Sequence, residues 1–215
     1  GVSSWRKNKF CGTVLNTEIA RQHTMTQPDL FNDLQLQSVE LIEIDDGDIL
    51  WIKRFLPKAD ADTLLQTLQT EIPWRQDSIR IAGKDTPIPR LQAWYGDPGM
   101  TYTYSGLKLD PLPWTPTLAT LKQRIEDYSD CHFNSLLANL YRTEQDSVGW
   151  HADDEPELGQ NPAIASLSLG DARDFQLKHR TRPEQKLSLP LQHGDLLIMK
   201  GALQHHWVHQ IPKSK

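Results

Sequence analysis

The chain has 215 residues, a formal net charge of −5, 38% hydrophobic and 24% charged residues, which is the make-up of an ordinary globular protein long enough to bury a sizeable core. No apolar run approaches the roughly 20 residues of a membrane span. No h-region follows Arg6, Lys7 and Lys9 as in a signal peptide, and Cys11 and Cys131 alone make no disulfide framework, so a cytoplasmic protein with reduced thiols and no membrane partner is expected.

Residues 1–24 lack periodicity and carry four basic residues against one acidic. Met25-Thr-Gln-Pro-Asp-Leu-Phe31 reads like a natural start, which makes 1–24 a non-native or disordered leader by expectation. Two β-prone runs, Val39–Ile44 and Ile49–Ile52, flank Asp45-Asp46-Gly47-Asp48 and suggest a hairpin within an N-terminal extension, 25–56, ahead of a main domain, 57–215. After Pro57, Leu64, Leu65, Leu68 and Ile72 fall at helical spacing and predict a helix over Lys58–Ile72. Thr115-Pro116 opens a second helix as cap and first residue, with Leu118, Leu121, Ile125 and Tyr128 as its buried stripe. From there the pattern shortens. Ser135–Arg142, Ala163–Leu169, Asp174–His179, Leu187–Leu191, Asp195–Lys200 and Gln204–Ile211 read as strands, most of them separated by Gly, Pro or charged turns. Helices followed by many short strands predict an α+β, mainly β fold, a sandwich or barrel core with helices packed outside.

The chemistry-bearing pattern is His151-Ala-Asp153. In extended backbone, residues i and i+2 point to one side, so an imidazole and a carboxylate can grip one metal. A distant His completes the 2-His-1-carboxylate set of a non-haem iron site, whose remaining positions stay open. Alone, His-x-Asp is close to chance, and a solvated acidic loop is the blander reading. Spacing leaves His205 and His209 nearly tied as third ligand, since both would share one face of a strand. The net charge argues mildly against non-specific nucleic-acid binding. Arg173, Lys178, His179, Arg180, Arg182 and Lys186 nevertheless concentrate positive charge locally, either as a solvated hairpin or as a phosphate contact.

Pro89-Arg-Leu-Gln-Ala-Trp-Tyr95-Gly-Asp97, Thr101-Tyr102-Thr-Tyr104-Ser-Gly106, Asn139-Leu-Tyr141, His151-Ala-Asp153-Asp-Glu155, Ile164-Ala-Ser-Leu-Ser-Leu-Gly170 and His206-Trp-Val-His209 occur in that order. Together they resemble the AlkB family of Fe(II)/2-oxoglutarate dioxygenases over about residues 38–213, nearest to the DNA-repair branch that contains the second human homologue. The resemblance implies a double-stranded β-helix (jelly roll) with flanking N-terminal helices, and Fe(II), 2-oxoglutarate and O2 as cofactor and co-substrates. It implies His151, Asp153 and His209 as iron ligands and Asn139 and Tyr141 as 2-oxoglutarate contacts. It places Tyr102, Tyr104, Asp154 and Glu155 around a flipped base. The implied reaction is oxidative demethylation of 1-methyladenine or 3-methylcytosine in DNA, releasing formaldehyde, by a monomer. Two alternatives stand beside it: a related oxygenase acting on RNA or another substrate, and a non-catalytic metal- or nucleic-acid-binding module.

Two departures qualify the resemblance. Ala82 stands where the human-type hairpin finger carries a bulky aromatic, which leaves single-stranded DNA or RNA open as substrate. Family members continue past the last His with a strand Arg-x-Asn-Leu-Thr-Phe-Arg, whose first Arg pairs with the distal carboxylate of 2-oxoglutarate. This chain ends at Ile211-Pro-Lys-Ser-Lys215. The expectation is therefore a C-terminally truncated domain, with a complete metal half, an incomplete 2-oxoglutarate half, and one core strand missing from the sandwich.

Overall fold

The computed structural model describes residues 14–20, 37–81, 83–100, 102–104 and 107–214. Fifteen strands and three α-helices follow in chain order: β1 (Val14–Ala20), β2 (Ser38–Ile44), β3 (Gly47–Lys53), α1 (Lys58–Glu71), β4 (Ser78–Ile81), β5 (Lys84–Pro87), β6 (Leu91–Gly96), β7 (Tyr102–Tyr104), β8 (Leu107–Leu109), α2 (Pro116–Ser129), β9 (Ser135–Tyr141), β10 (Val148–His151), β11 (Ile164–Leu169), β12 (Arg173–His179), β13 (Lys186–Leu191), β14 (Leu196–Lys200), α3 (Leu203–His206) and β15 (Trp207–Ile211). None of the described helices is long and apolar enough to cross a membrane.

Two sheets make the core of a jelly roll. The large one runs β2-β3-β14-β11-β1-β9-β6 and the small one β10-β15-β12-β13. Strands at the centre of the large sheet are apolar on both faces, because both faces are covered. Leu196 and Ile198 of β14, Ala165, Leu167 and Leu169 of β11, and Leu136 and Ala138 of β9 point to the helices, where Leu65 and Leu68 of α1 and Leu118, Leu121 and Ile125 of α2 meet them. The alternate residues Leu197, Met199, Ile164 and Tyr141 face the small sheet and pack on Phe175, Leu177, Leu189, Leu191, Trp207 and Ile211. Each buried Leu or Ile contributes about 1.5–3 kcal/mol relative to exposure. The layer between the sheets therefore forms a firm wall behind any site at its open end.

α2 begins as its sequence requires. The Thr115 hydroxyl accepts from the Leu118 N–H at 3.2 Å and Pro116 occupies the first helical position, where its missing N–H costs nothing. Its stripe is shorter than the spacing suggests. Tyr128 is 40% exposed and meets Phe55 edge-on at 5.5 Å, so only Leu118, Leu121 and Ile125 reach the core.

Three expectations need correction. Part of the supposed leader is structural: β1 lies between β9 and β11, parallel to both, with Ile19 opposite Leu140 and Leu169. Thr17 and Ile19 are fully buried. Without β1, the facing edges of β9 and β11 would lack a ladder partner. Met25–Phe31 lies outside the described residues. The β2–β3 hairpin, in turn, is no extension, because β3 pairs with β14 from Asp48↔Lys200 to Ile52↔Leu196 and is integral to the large sheet. Finally, the predicted strand 204–211 is split. Leu203–His206 form a helical turn and the strand begins at Trp207.

Candidate metal centre

β10 and β15 run antiparallel, and their register sets His151 directly opposite His209. The chain leaves β10 extended, which brings Asp153 back to the same side two residues on. His151 Nε2 lies 3.9 Å from Asp153 Oδ1 and His209 Nε2 lies 3.6 Å from Asp153 Oδ2. The two imidazole rings are 4.2 Å apart, and one ligand atom from each of the three residues lies within 4.8 Å of the others. The split of 204–211 separates the rival histidines in space. His205 is exposed on α3, whereas His209 is 3% exposed within the triad.

The polar atoms of this cluster fit a cation. His151 Nδ1 sits 2.8 Å from the Gly149 carbonyl, so it carries the proton, and Nε2 keeps its lone pair toward the cluster. Asp153 Oδ2 and His209 Nδ1 are buried without a hydrogen-bond partner. A buried carboxylate oxygen in that state is costly unless a positive charge offsets it. Burial pushes the Asp153 carboxyl up to about 6, opposed by His151 and reinforced by Glu155 and Asp154. Burial, and then His151, pushes the His209 imidazole well below its usual value. Two imidazoles and one carboxylate are the donor set that Fe(II) takes. Side-chain exposure falls from 37% at His151 to 16% at Asp153 and 3% at His209, so the site opens on the His151 side.

Several residues that the sequence does not flag hold this arrangement. Gln204, fully buried on α3, accepts the Asp153 N–H at 2.9 Å. Phe175 of β12 stacks on His209 with ring centroids 5.1 Å apart. Arg180 ties Asp154 at 2.6 Å and also donates to the Gln204 carbonyl. Asp154, expected at a base edge, is thus ion-paired to Arg180 in this structure, while Glu155 immediately precedes the short 3-10 turn Pro156–Leu158. Sequence distance hides these contacts, which join residues 24 to 51 positions apart.

Asn139 and Tyr141 are both buried on the face of β9 turned to the small sheet. Asn139 Oδ1 accepts from Arg90 Nε at 2.9 Å. Tyr141 lines a narrow cavity together with Ser168, Asp171, Arg173, Phe175 and Ile211. Phe175 is shared between that cavity and the metal triad, so the two adjoin. Tyr102 and Tyr104 sit at i and i+2 of β7; their side chains, like Ala82, lie outside the described residues. Part of the basic stretch is paired with acids elsewhere in the fold: Arg182 with Asp45 and Asp46, and Arg180 with Asp154, while His179 Nε2 lies 3.2 Å from Asp46 Oδ2. Lys178 stands 4.2 Å over the exposed Trp150 ring, next to His151 in sequence.

Comparison with known proteins places this geometry. The profile of the 2OG-Fe(II) oxygenase superfamily matches residues 48–215. The chain is 46% identical over 168 residues to alpha-ketoglutarate-dependent dioxygenase alkB homolog 3 of Mus musculus, covering 74% of this chain and 58% of that protein. It is 39% identical over 168 residues to DNA oxidative demethylase ALKBH2 of Mus musculus, covering 74% of this chain and 70% of that protein. Identity is thus higher to homolog 3 than to the second-homologue branch that the motifs suggested. The chain spans about 58% of the length of the homolog 3 protein. A solved structure, that of OsALKBH1, superposes with a TM-score of 0.61 at 18% identity, over 82% of this chain and 88% of that one, which bears on the fold.

Proposed function

Because this chain belongs to the AlkB family of the 2OG-Fe(II) oxygenase superfamily, we propose that it oxidatively demethylates N-alkylated nucleobases of the 1-methyladenine and 3-methylcytosine type in DNA, as a step of DNA alkylation repair. The observation that carries this reading is the triad His151, Asp153 and His209, with its buried partnerless carboxylate oxygen. Fe(II) with 2-oxoglutarate and O2 would supply the oxidising power for hydroxylation of an N-methyl carbon, the chemistry that releases formaldehyde. The chain's own residues do the positioning. His151, Asp153 and His209 would hold the iron. Gly149 fixes the His151 ring, Gln204 fixes the backbone of Asp153, and Phe175 covers the buried face of His209. Asn139 and Tyr141 would face 2-oxoglutarate from β9. The exposed side of His151 leaves the approach for a base taken out of its stack.

The test is incubation with Fe(II), 2-oxoglutarate and oligonucleotides carrying 1-methyladenine or 3-methylcytosine, as single-stranded DNA, duplex DNA and RNA. Formaldehyde and the restored base are measured. The expected result is repair by the parent and by His205→Ala, and none by His209→Ala or Asp153→Asn. Absence of repair in every substrate arm, or full activity in His209→Ala, overturns the reading. Preference for the RNA arm would redirect it to an RNA demethylase.

A further inference from the structure

An exposed aromatic ring stands one residue from His151, on the other face of the same strand. Neighbouring residues of a strand point to opposite faces. His151 turns inward to His209, and Trp150 turns to the outer face of the small sheet, where it is 40% exposed. β10 is an outermost strand of that sheet, so only its free edge separates the ring from the opening at His151. Lys178 of β12 alternates with the buried Leu177 and His179 and therefore shares this outer face. Its Nζ lies 4.2 Å from the Trp150 ring centroid, a cation–π contact that orients the ring and leaves it in water. Lys178 also stands directly opposite Lys186 of β13. Like charges so placed destabilise a sheet, and neither lysine has a salt bridge among the described residues. The next row of this face, Gln176 and Gln210, is joined through its side-chain amides at 2.8 Å and adds no charge. The acid of β12 on this face, Asp174, is four residues from Lys178. Local rules broken without a compensating contact collect at functional sites.

We infer that Trp150, Lys178 and Lys186 seat the nucleotide that flanks the target base on the substrate strand, with its base stacked on the Trp150 ring and its phosphates along the two lysines. This rests on the nucleic-acid reading above and places a contact outside the base pocket. The three side chains form a row from β10 across to β13, leading away from the opening at His151. Stacking on an indole asks for a free π-face and no particular sequence. Phosphates here meet two cations that no carboxylate neutralises. Inside a duplex both faces of a base are covered by its neighbours, so the seat takes a single strand. The competing role is structural, a cation–π contact that pins the edge strand β10 to β12.

The two roles separate on a comparison of ligands. Protein loaded anaerobically with Mn(II) is titrated with a short single-stranded oligodeoxynucleotide carrying one 1-methyladenine, with the matching duplex, and with 1-methyldeoxyadenosine monophosphate, which has no flanking nucleotide. The parent is expected to bind the single strand most tightly. Trp150→Leu should weaken the single strand by about 5- to 100-fold, the usual worth of one stacked base, and lower the ratio of strand to mononucleotide affinity by a similar factor. Trp150→Phe, which keeps a smaller π-face, should recover part of that loss. Lys178→Ala and Lys186→Ala should each reduce the slope of log affinity against log salt by about 0.7, one phosphate contact on a single strand; a purely structural role would move the melting temperature and not this slope. The lysine variants serve on their own if Trp150→Leu fails to fold. Strand affinity in Trp150→Leu within about twofold of the parent, equal losses for strand and mononucleotide, a Phe variant no better than Leu, unchanged salt slopes, or a parent that prefers the duplex would each overturn the inference. A parent that demethylates the mononucleotide and binds the strand no better would overturn the seat and leave the reaction standing. The expected binding pattern without demethylation of any substrate would sink the reaction and leave the seat in place.

Discussion

Gln204 offers a direct probe of how the fold holds the metal carboxylate. Its side chain is fully buried. Oε1 accepts the Asp153 N–H at 2.9 Å, and Nε2 meets only the Met199 sulfur, at 3.8 Å. Gln204→Met keeps an unbranched side chain of similar volume and removes the acceptor. The Asp153 N–H is then left without a partner in a part-buried setting, at a cost of about 1–3 kcal/mol. Part of that cost destabilises the fold. The remainder falls on the metal-bound state, which requires Asp153 at a fixed orientation. Since about 1.4 kcal/mol is tenfold in affinity, the upper end corresponds to roughly 100-fold, the usual range for groups that orient metal ligands. Mn(II) titration and thermal melting with and without metal measure the two parts. The expected result is a 10-fold or greater loss of metal affinity (on the order of 1.4 kcal/mol) with a modest drop in metal-free melting temperature. An affinity within about twofold of the parent would refute the reasoning, whatever the melting curve shows, because it would mean that α3 packs beside the site without holding it.

Metal should stabilise the protein more at about pH 7.5 than at about pH 5. With Asp153 raised to about 6 in the folded, metal-free state, its contribution to stability is fully present below its unfolded value and is lost as pH rises through 6, whereas metal needs the carboxylate ionised; melting with and without Mn(II) at both pH values checks this, and an equal shift contradicts it. Asp146→Asn should cost about 3 kcal/mol, since Asp146 accepts from Arg142 N, Nε and Nη2 at 2.8, 2.8 and 3.0 Å. Burial raises the Asp146 pKa, but the Arg142 bonds outweigh it and lower it overall, so this stabilisation is present above the unfolded carboxylate value and vanishes as pH falls through the folded one. Urea denaturation across pH 2–5 reads both effects. Gly194→Ala should destabilise by about 2 kcal/mol or more, because Gly194 has φ +85° and a Cβ there would stand 2.5 Å from the Leu56 carbonyl oxygen; an unchanged melting temperature would contradict that geometry.

Much of the scaffold was legible because its elements carry local signals. Thr115-Pro116 marks the start of α2, and the strands after Phe133 are short apolar runs bounded by turns, so β9, β11, β12, β13 and β14 fall within a residue or so of expectation. β1 carries no such signal. Val14–Ala20 has no clean alternation, and it becomes a strand because two neighbours offer it ladders on both sides, a tertiary cause that overrides local pattern. At the site, His151-x-Asp153 was visible because both residues lie on one extended segment. The choice of His209 over His205 required knowing that a helical turn ends before Trp207. Gln204, Phe175, Arg90 and Arg173 act across the sandwich, and their sequence surroundings look like any other helix or strand.

The structure contains a second cluster of two histidines and an aspartate, and its hydrogen bonds argue against a second metal. Asp46, His179 and His206 also bring ligand atoms within 4.8 Å of one another. His179 is 3% exposed, and its Nδ1 accepts the backbone N–H groups of Thr181 and Arg182, each at 3.2 Å. With Nδ1 used as acceptor, the neutral ring carries its proton on Nε2, which faces Asp46 Oδ2 at 3.2 Å and donates to it. A metal at Nε2 would have to displace that proton while Nδ1 still faced two donors. Arg182, 2.9 Å from the same Asp46 oxygen, already supplies the positive charge. At the first site the pattern is opposite: His151 Nδ1 is the donor, and the lone pair is turned to the cluster. The cluster at Asp46 is therefore a clamp that fixes the β12–β13 hairpin to the β2–β3 turn. Metal analysis should find one Mn(II) per chain, retained in Asp46→Asn and lost in Asp153→Asn. Asp46→Asn should lower the melting temperature, while a fall in stoichiometry from two to one in that variant would refute the hydrogen-bond argument.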